Sequence, residues 1–147
     1  MWKMVTPVLT GICLSLAALA PAADKPKADD AFVIAIDRSG GFVASDSPIT
    51  HYRFTMAKDG SWEFKPQAGE PLRGKISIED LNKWVKEIED GGLYTVKSNP
   101  ELGPNDAAFM DITVQTTDKK TRVRIPLEEK LSQAIEKKII ELTERGK

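Results

Sequence analysis

From Thr50 to Lys65 apolar and polar residues alternate on either side of Lys58-Asp59-Gly60, and that alternation constrains the fold more than any other stretch. A side-chain period of two belongs to β-strands, so the segment reads as a hairpin whose register can be argued from the faces it would create. A two-residue Asp59-Gly60 loop would set Met56 opposite Glu63 and Phe54 opposite Lys65, mixing apolar and charged groups. A three-residue loop with Gly60 in the left-handed position pairs Met56 with Trp62 and Phe54 with Phe64. In that register Tyr52, Phe54, Met56, Trp62 and Phe64 share one face, while Arg53 opposite Lys65 and Thr55 opposite Glu63 share the other. So apolar a face requires cover, which predicts helices packed on it in preference to an aromatic platform for sugar or peptide.

The remaining elements follow from the same periodicities. Phe32-Val33-Ile34-Ala35-Ile36 reads as a buried strand that ends in a turn at Asp37-Arg38-Ser39-Gly40-Gly41. A short strand is expected near Leu72 to Ile76. Ser77 then caps a helix, answered by Asp80, with Ile76 stapled onto Leu81. Leu81, Trp84, Val85 and Ile88 form its apolar stripe, and Gly91-Gly92 ends it. A long connection runs from Leu93 to Asp106. Met110, Ile112 and Val114 then alternate with Asp111, Thr113 and Gln115. A two-residue loop at Asp118-Lys119 returns the chain to Val123 and Ile125, with Asp111 diagonal to Arg124. Pro126 closes that strand and opens a last helix carrying Leu127, Leu131, Ala134, Ile135, Ile139 and Leu142. The order βββ(β)αββα predicts an α+β domain, an antiparallel sheet of about five strands with two helices on one face.

The chain starts with a different kind of signal. Met1-Trp2-Lys3, an apolar run from Met4 to Leu19 and the small residues Ala20-Pro21-Ala22-Ala23 read as an export peptide over residues 1–22, cut after Ala22. The run is shorter than the roughly 20 apolar residues that span a bilayer, so no membrane insertion is expected once it is removed. Residues 23–31 read as a flexible polar lead and 32–146 as a single domain. Secretion or periplasmic residence follows. Cys13, the single cysteine, leaves with the tag, so the mature domain depends on packing for its stability. The formal net charge of −1 becomes one unit more negative when Lys3 is lost, which gives no electrostatic reason to expect nucleic acid as a partner.

Catalytic constellations are hard to assemble from these residues. No thiol nucleophile remains in the mature chain. The one histidine, His51, supplies neither a two-histidine metal site nor a supported triad, and reads as a strand-end residue. No phosphate-binding loop or dinucleotide fingerprint appears, since Gly40-Gly41 lacks the third glycine and the following helix. Asp37, Glu63, Asp106 and Asp111 lie near strands, with nothing to single one out as a proton donor. The reading is therefore a non-enzymatic domain without cofactor or metal.

The string Ile36-Asp37-Arg38-Ser39-Gly40-Gly41-Phe42, the Leu81 helix, Asp106 just before an alternating strand and the terminal helix together resemble the emfourin family of small proteinaceous inhibitors of thermolysin-type metalloproteases. The layout is also similar to bacterial envelope domains of the same element order. The first resemblance implies a secreted metalloprotease as partner, engaged by stiff protruding segments. The candidate partner-binding residues are Arg38, Ser39, Gly40, Gly41 and Phe42 in one segment, and Asn99, Pro100, Glu101 and Leu102 in the other, followed by Asp106. The second resemblance implies an envelope binding or structural module that meets a protein through Arg53, Thr55, Glu63, Lys65, Arg122 and Arg124.

Overall fold

The computed structural model describes residues 32–40, 51–103 and 107–146. The expected export peptide, the lead, Gly41, Phe42 and Asp106 lie outside the described residues. The elements are β1 (Phe32–Ser39), β2 (Tyr52–Ala57), β3 (Ser61–Pro66), β4 (Leu72–Lys75), α1 (Ile78–Ile88), β5 (Phe109–Gln115), β6 (Lys120–Pro126) and α2 (Lys130–Arg145). The strands form one antiparallel sheet in the order β4-β3-β2-β1-β5-β6, giving the expected α+β fold with six strands, because Leu72–Lys75 extends the sheet beside β3.

The first hairpin has the three-residue loop. Met56 faces Trp62 and Phe54 faces Phe64. Gly60 has φ 83°, and its N–H donates to the carbonyl of Ala57 at 3.0 Å. A Cβ on Gly60 would stand 2.2 Å from the carbonyl oxygen of Ile76, so glycine is required both for the backbone angle and for the close approach of the β4–α1 link.

The second hairpin differs from expectation at its turn. Thr117-Asp118 occupy it, closed by the Thr116 N–H donating to the Lys119 carbonyl at 2.8 Å. Ile112 therefore faces Val123, Met110 faces Ile125, and Asp111 stands directly opposite Arg124 instead of diagonally. A slip of two residues leaves every side chain on its own face, so apolar alternation cannot separate the two registers. The direct Asp111–Arg124 pair can.

Both helices lie over the apolar face. Ile34, Ile36, Phe54, Met56, Met110, Ile112 and Ile125 are fully buried beneath Leu81, Trp84, Val85 and Ile88 of α1 and Leu131, Ile135, Ile139 and Leu142 of α2, in one continuous core. Each such side chain contributes about 1.5–3 kcal/mol on leaving water. Trp84 meets Phe54 edge to face at 5.7 Å, and Phe54 lies near-parallel to Trp62 at 6.0 Å. The indole of Trp62 lies across Gly74 of β4, where an added Cβ would stand 2.3 Å from the ring.

Helix α1 starts as its sequence implies: Ser77 accepts from the Asp80 N–H at 3.0 Å, and its hydroxyl donates to the Asp80 carboxylate at 2.9 Å. It passes into a wide π-helical turn, Glu89–Leu93, in which Gly92 has φ 108° and Leu93 drops into the core. Helix α2 starts later than Pro126. The Leu127 N–H donates to the Ala108 carbonyl at 3.0 Å and the Ser132 hydroxyl to the Pro126 carbonyl at 2.9 Å, which holds this stretch against the sheet before the helix can begin at Lys130. Ala134 is exposed and Ser132 takes a buried place in the stripe instead. No helix among the described residues is long and apolar enough to cross a membrane.

Candidate binding surface on the uncovered sheet face

No described helix covers the second face of the sheet, and its side chains line up in rows across the strands. One row runs Lys65, Arg53, Asp37, Asp111, Arg124, and the next runs Arg73, Glu63, Thr55, Ala35, Thr113, Arg122. Residues directly opposite on neighbouring strands have Cβ atoms about 4.5–5.5 Å apart, so each row is a chain of side-chain contacts. Lys65 Nζ lies 2.9 Å and Arg73 Nη2 2.7 Å from the Glu63 carboxylate, two cations on one acid. Hydrogen bonds from Lys65 and then Arg73 hold the Glu63 carboxyl below its ordinary range, which fixes it as an anion and unsuits it as a proton donor. Arg124 Nη2 at 2.7 Å and Arg122 Nη2 at 4.0 Å repeat the motif on Asp111, and Arg53 Nε lies 3.9 Å from Asp37.

Arg124 does more than pair. Its Nε and Nη2 donate to the two oxygens of Asp111 at 2.9 and 2.7 Å, its Nη1 donates to the Leu102 carbonyl at 2.8 Å and to that of Pro100 at 3.4 Å, and its guanidinium lies 4.5 Å over the ring of Phe109. The Arg124 main chain donates to the Ser98 hydroxyl at 3.0 Å and accepts from the Asn99 N–H at 2.8 Å. The Ser98–Leu102 segment is thus fastened along the outer edge of β6 by one residue. Asn99 adds a local turn through its side-chain oxygen, which accepts from the Glu101 N–H at 3.2 Å. The bidentate geometry explains why arginine and not lysine stands here.

The structure separates the expected site residues. Strand β1 continues through Asp37, Arg38 and Ser39, which the sequence pattern assigns to a turn, because Asp37 and Arg38 find partners on both β2 and β5. Arg38 pairs across with Tyr52 and Met110, both core residues, so its side chain lies under α2 instead of facing outward. It meets Glu136 there at 3.1 Å. Burial first, then the Glu136 charge, push the Tyr52 phenol upward, and Arg38 works the other way. Ser39 and Gly40 stay with the second segment: Ser39 is opposite Phe109, and a Cβ on Gly40 would lie 3.0 Å from that ring. Phe109 therefore bridges Ser39-Gly40 to the Arg124-held loop, where Asn99, Pro100 and Glu101 are exposed. Thr55, expected on the exposed face, is buried between Glu63 and Ala35. Long charged neighbours cover a short central side chain. His51 precedes β2, its carbonyl accepting from the Gln67 N–H at 2.9 Å.

Two depressions meet on this face at Asp111 and Arg122. One, of 190 Å³, is lined by Asp37, Arg53, Thr113 and Lys120 as well; the other, of 360 Å³, by Ser98, Pro100 and Arg124. A bigger concavity, 490 Å³, lies on the opposite side between α1 and α2, floored by Trp84, Ile88, Leu131 and Ile135 and rimmed by Glu87, Lys137, Lys138 and Glu141. Size favours it, yet its floor is apolar, and of its rim charges Glu87 and Lys137 stand exposed while Lys138 and Glu141 are half-buried. The charged face, where paired side chains and a fastened loop converge, is the stronger candidate. Sequence reasoning missed Asp37, Arg73 and Lys120 as members of this surface. The pairing of β1 with both β2 and β5 brings Asp37 there, and only a register could reveal it. No family model, no curated protein and no solved structure matches the chain.

Proposed function

We propose that this chain is an exported, non-catalytic protein-binding domain that works through the uncovered sheet face and the Ser98–Leu102 loop fastened to its edge. The observation that carries the reading is the arrangement around Asp111. Both carboxylate oxygens are engaged by Arg124, which also holds the loop, so the groups there are locked in place and suited to recognition instead of turnover. Charged and polar side chains fixed by neighbours present one shape to a partner at little ordering cost. The test is capture of envelope proteins by the purified chain and by an Arg53→Glu/Arg122→Glu variant. A stable partner that is recovered by the first and lost by the second supports the reading; equal recovery by both removes it.

A second reading, inhibition of a thermolysin-type metalloprotease, is favoured by the same loop. Pro100 and Glu101 are exposed on a segment held by Arg124, the stiffness that a cleft-filling inhibitor segment needs. The expected outcome is slowed peptide hydrolysis by such an enzyme at micromolar chain, reversed by replacing Pro100 and Glu101. Unchanged hydrolysis across a panel of secreted metalloproteases eliminates it. Export rests on residues 1–22, and Ala23 as the amino terminus of protein recovered from outside the cytoplasm is its direct check.

A further inference from the structure

We infer that the uncovered sheet face takes an acidic protein segment laid across the strands from β4 to β6; this rests on the protein-binding reading above. The row begins with Arg73 and Glu63, ends at Arg122, and has short uncharged side chains between them, Thr55, Ala35 and Thr113, of which Thr55 is buried. Both terminal arginines are well exposed, Arg73 at 74% and Arg122 at 68% of the side chain. At each end two cations share one carboxylate, Lys65 and Arg73 on Glu63, Arg122 and Arg124 on Asp111, so each end keeps positive charge after its internal pairing. Adjacent strands are about 4.8 Å apart, which sets the two ends roughly 24 Å apart. An extended segment advances about 3.3 Å per residue, so carboxylates about seven residues apart reach both ends.

A protein fits this pattern better than a uniform polyanion does. Glu63, Asp37 and Asp111 stand between and beside the cations and would face any evenly charged phosphate surface. Bases would also lack a stacking platform, since Tyr94 is the one aromatic among the exposed large apolar side chains of the described residues, and Lys119 already lies over its ring at 3.7 Å.

The experiment uses the purified chain and a fluorescent synthetic peptide with two Glu-Glu pairs separated by a Ser/Thr spacer of about five residues, a span set by the strand geometry. Phosphatidylglycerol vesicles and a DNA duplex are run beside it, and anisotropy or co-sedimentation is read at rising salt. The expected result is peptide binding that weakens about tenfold or more in Arg73→Glu/Arg122→Glu, each charge being a rim contact, and that fades steeply with salt. Circular dichroism confirms that the variant folds, and the single Lys86→Glu change on the exposed side of α1 leaves binding unaltered. Absence of peptide binding overturns the inference, as does binding indifferent to the double change. Stronger, variant-sensitive binding of vesicles or duplex also overturns it, by assigning the face to phosphate. If envelope capture recovers a partner through this same face while the acidic peptide fails, the protein-binding reading stands and the acidic class is wrong.

Discussion

Arg38 of the central strand and Glu136 of the last helix face each other across the layer boundary, with Nε 3.1 Å from a carboxylate oxygen and side chains only 16% and 25% exposed. The contact ties α2 to β1 at a point where the core gives way to charge. The hydroxyl of Tyr52 lies buried in the same cluster and has no hydrogen-bond partner among the described residues. Replacing Glu136 by Ala leaves a guanidinium under the helix and is expected to cost about 1–3 kcal/mol in urea unfolding. Tyr52→Phe removes a polar atom that gains nothing from burial, so it is expected to leave stability unchanged or raise it by up to about 1 kcal/mol. A clear loss in the phenylalanine variant would show that the hydroxyl is satisfied.

Gly74 is expected to tolerate no side chain. Its Cβ would enter the indole of Trp62, a ring held between Phe54 on one side and the end of α2 on the other, where Gly146 already approaches it. Gly74→Ala forces the ring out of its place, and overpacking of this kind costs about 1–3 kcal/mol. Thermal melting followed by tryptophan fluorescence measures it, and Gly74→Ala combined with Trp62→Leu should recover part of the loss.

Arg124→Ala is expected to free the Ser98–Leu102 segment while leaving the sheet paired. The change strips Asp111, 13% exposed, of its bidentate partner and removes two carbonyl contacts. Hydrogen bonds to charged groups are each worth about 1.5–3 kcal/mol, so global stability should fall by an amount of that order. The distinctive readout is local: limited proteolysis should cut between Ser98 and Leu102 in the variant well before the parent, and Arg124→Lys should not restore protection.

Both tyrosines of the chain should ionise late in alkali. Burial holds Tyr52 in its neutral form, and Tyr94 is kept neutral chiefly by the hydrogen bond its hydroxyl donates to the Glu89 carboxylate. For a phenol whose folded pKa is raised, the stabilisation is present below the unfolded value of about 10 and is lost as pH climbs toward the folded one. Tyrosinate absorbance should therefore stay low above that pH and rise together with unfolding for Tyr52, while Glu89→Gln brings the Tyr94 transition back toward its ordinary position.

The registers show what the residues alone could carry. The hairpin at Gly60 was determined because the two-residue loop mixes aromatic and charged faces where the three-residue loop sorts them, and the α1 cap was determined because Ser77 and Asp80 serve each other locally. The β5–β6 turn was not, since a two-residue slip keeps Ile112 and Met110 inward in either register. The charged surface was legible only in part. Arg53, Lys65 and Arg122 could be assigned outward from alternation. Arg38 could not be placed, because whether a residue at the end of an apolar run stays in the strand depends on partners far along the chain. The role of Arg124 as the holder of a distant loop leaves no local trace at all: Asp111 and Leu102 are brought to it by pairing across β5 and by the course of the connection.

Strand β1 is the first of the described strands yet sits in the interior of the sheet, flanked by β2 on one side and by β5 on the other. As the chain emerges amino terminus first, β1 to β4 can zip together as a local meander, but the far side of β1 keeps a bare row of amides and carbonyls until Phe109–Gln115 arrives. That interval is the hazardous one. A product ending after α1 would carry a sticky unpaired edge beside an apolar face only partly roofed, so truncation there should yield aggregates in place of a smaller folded unit.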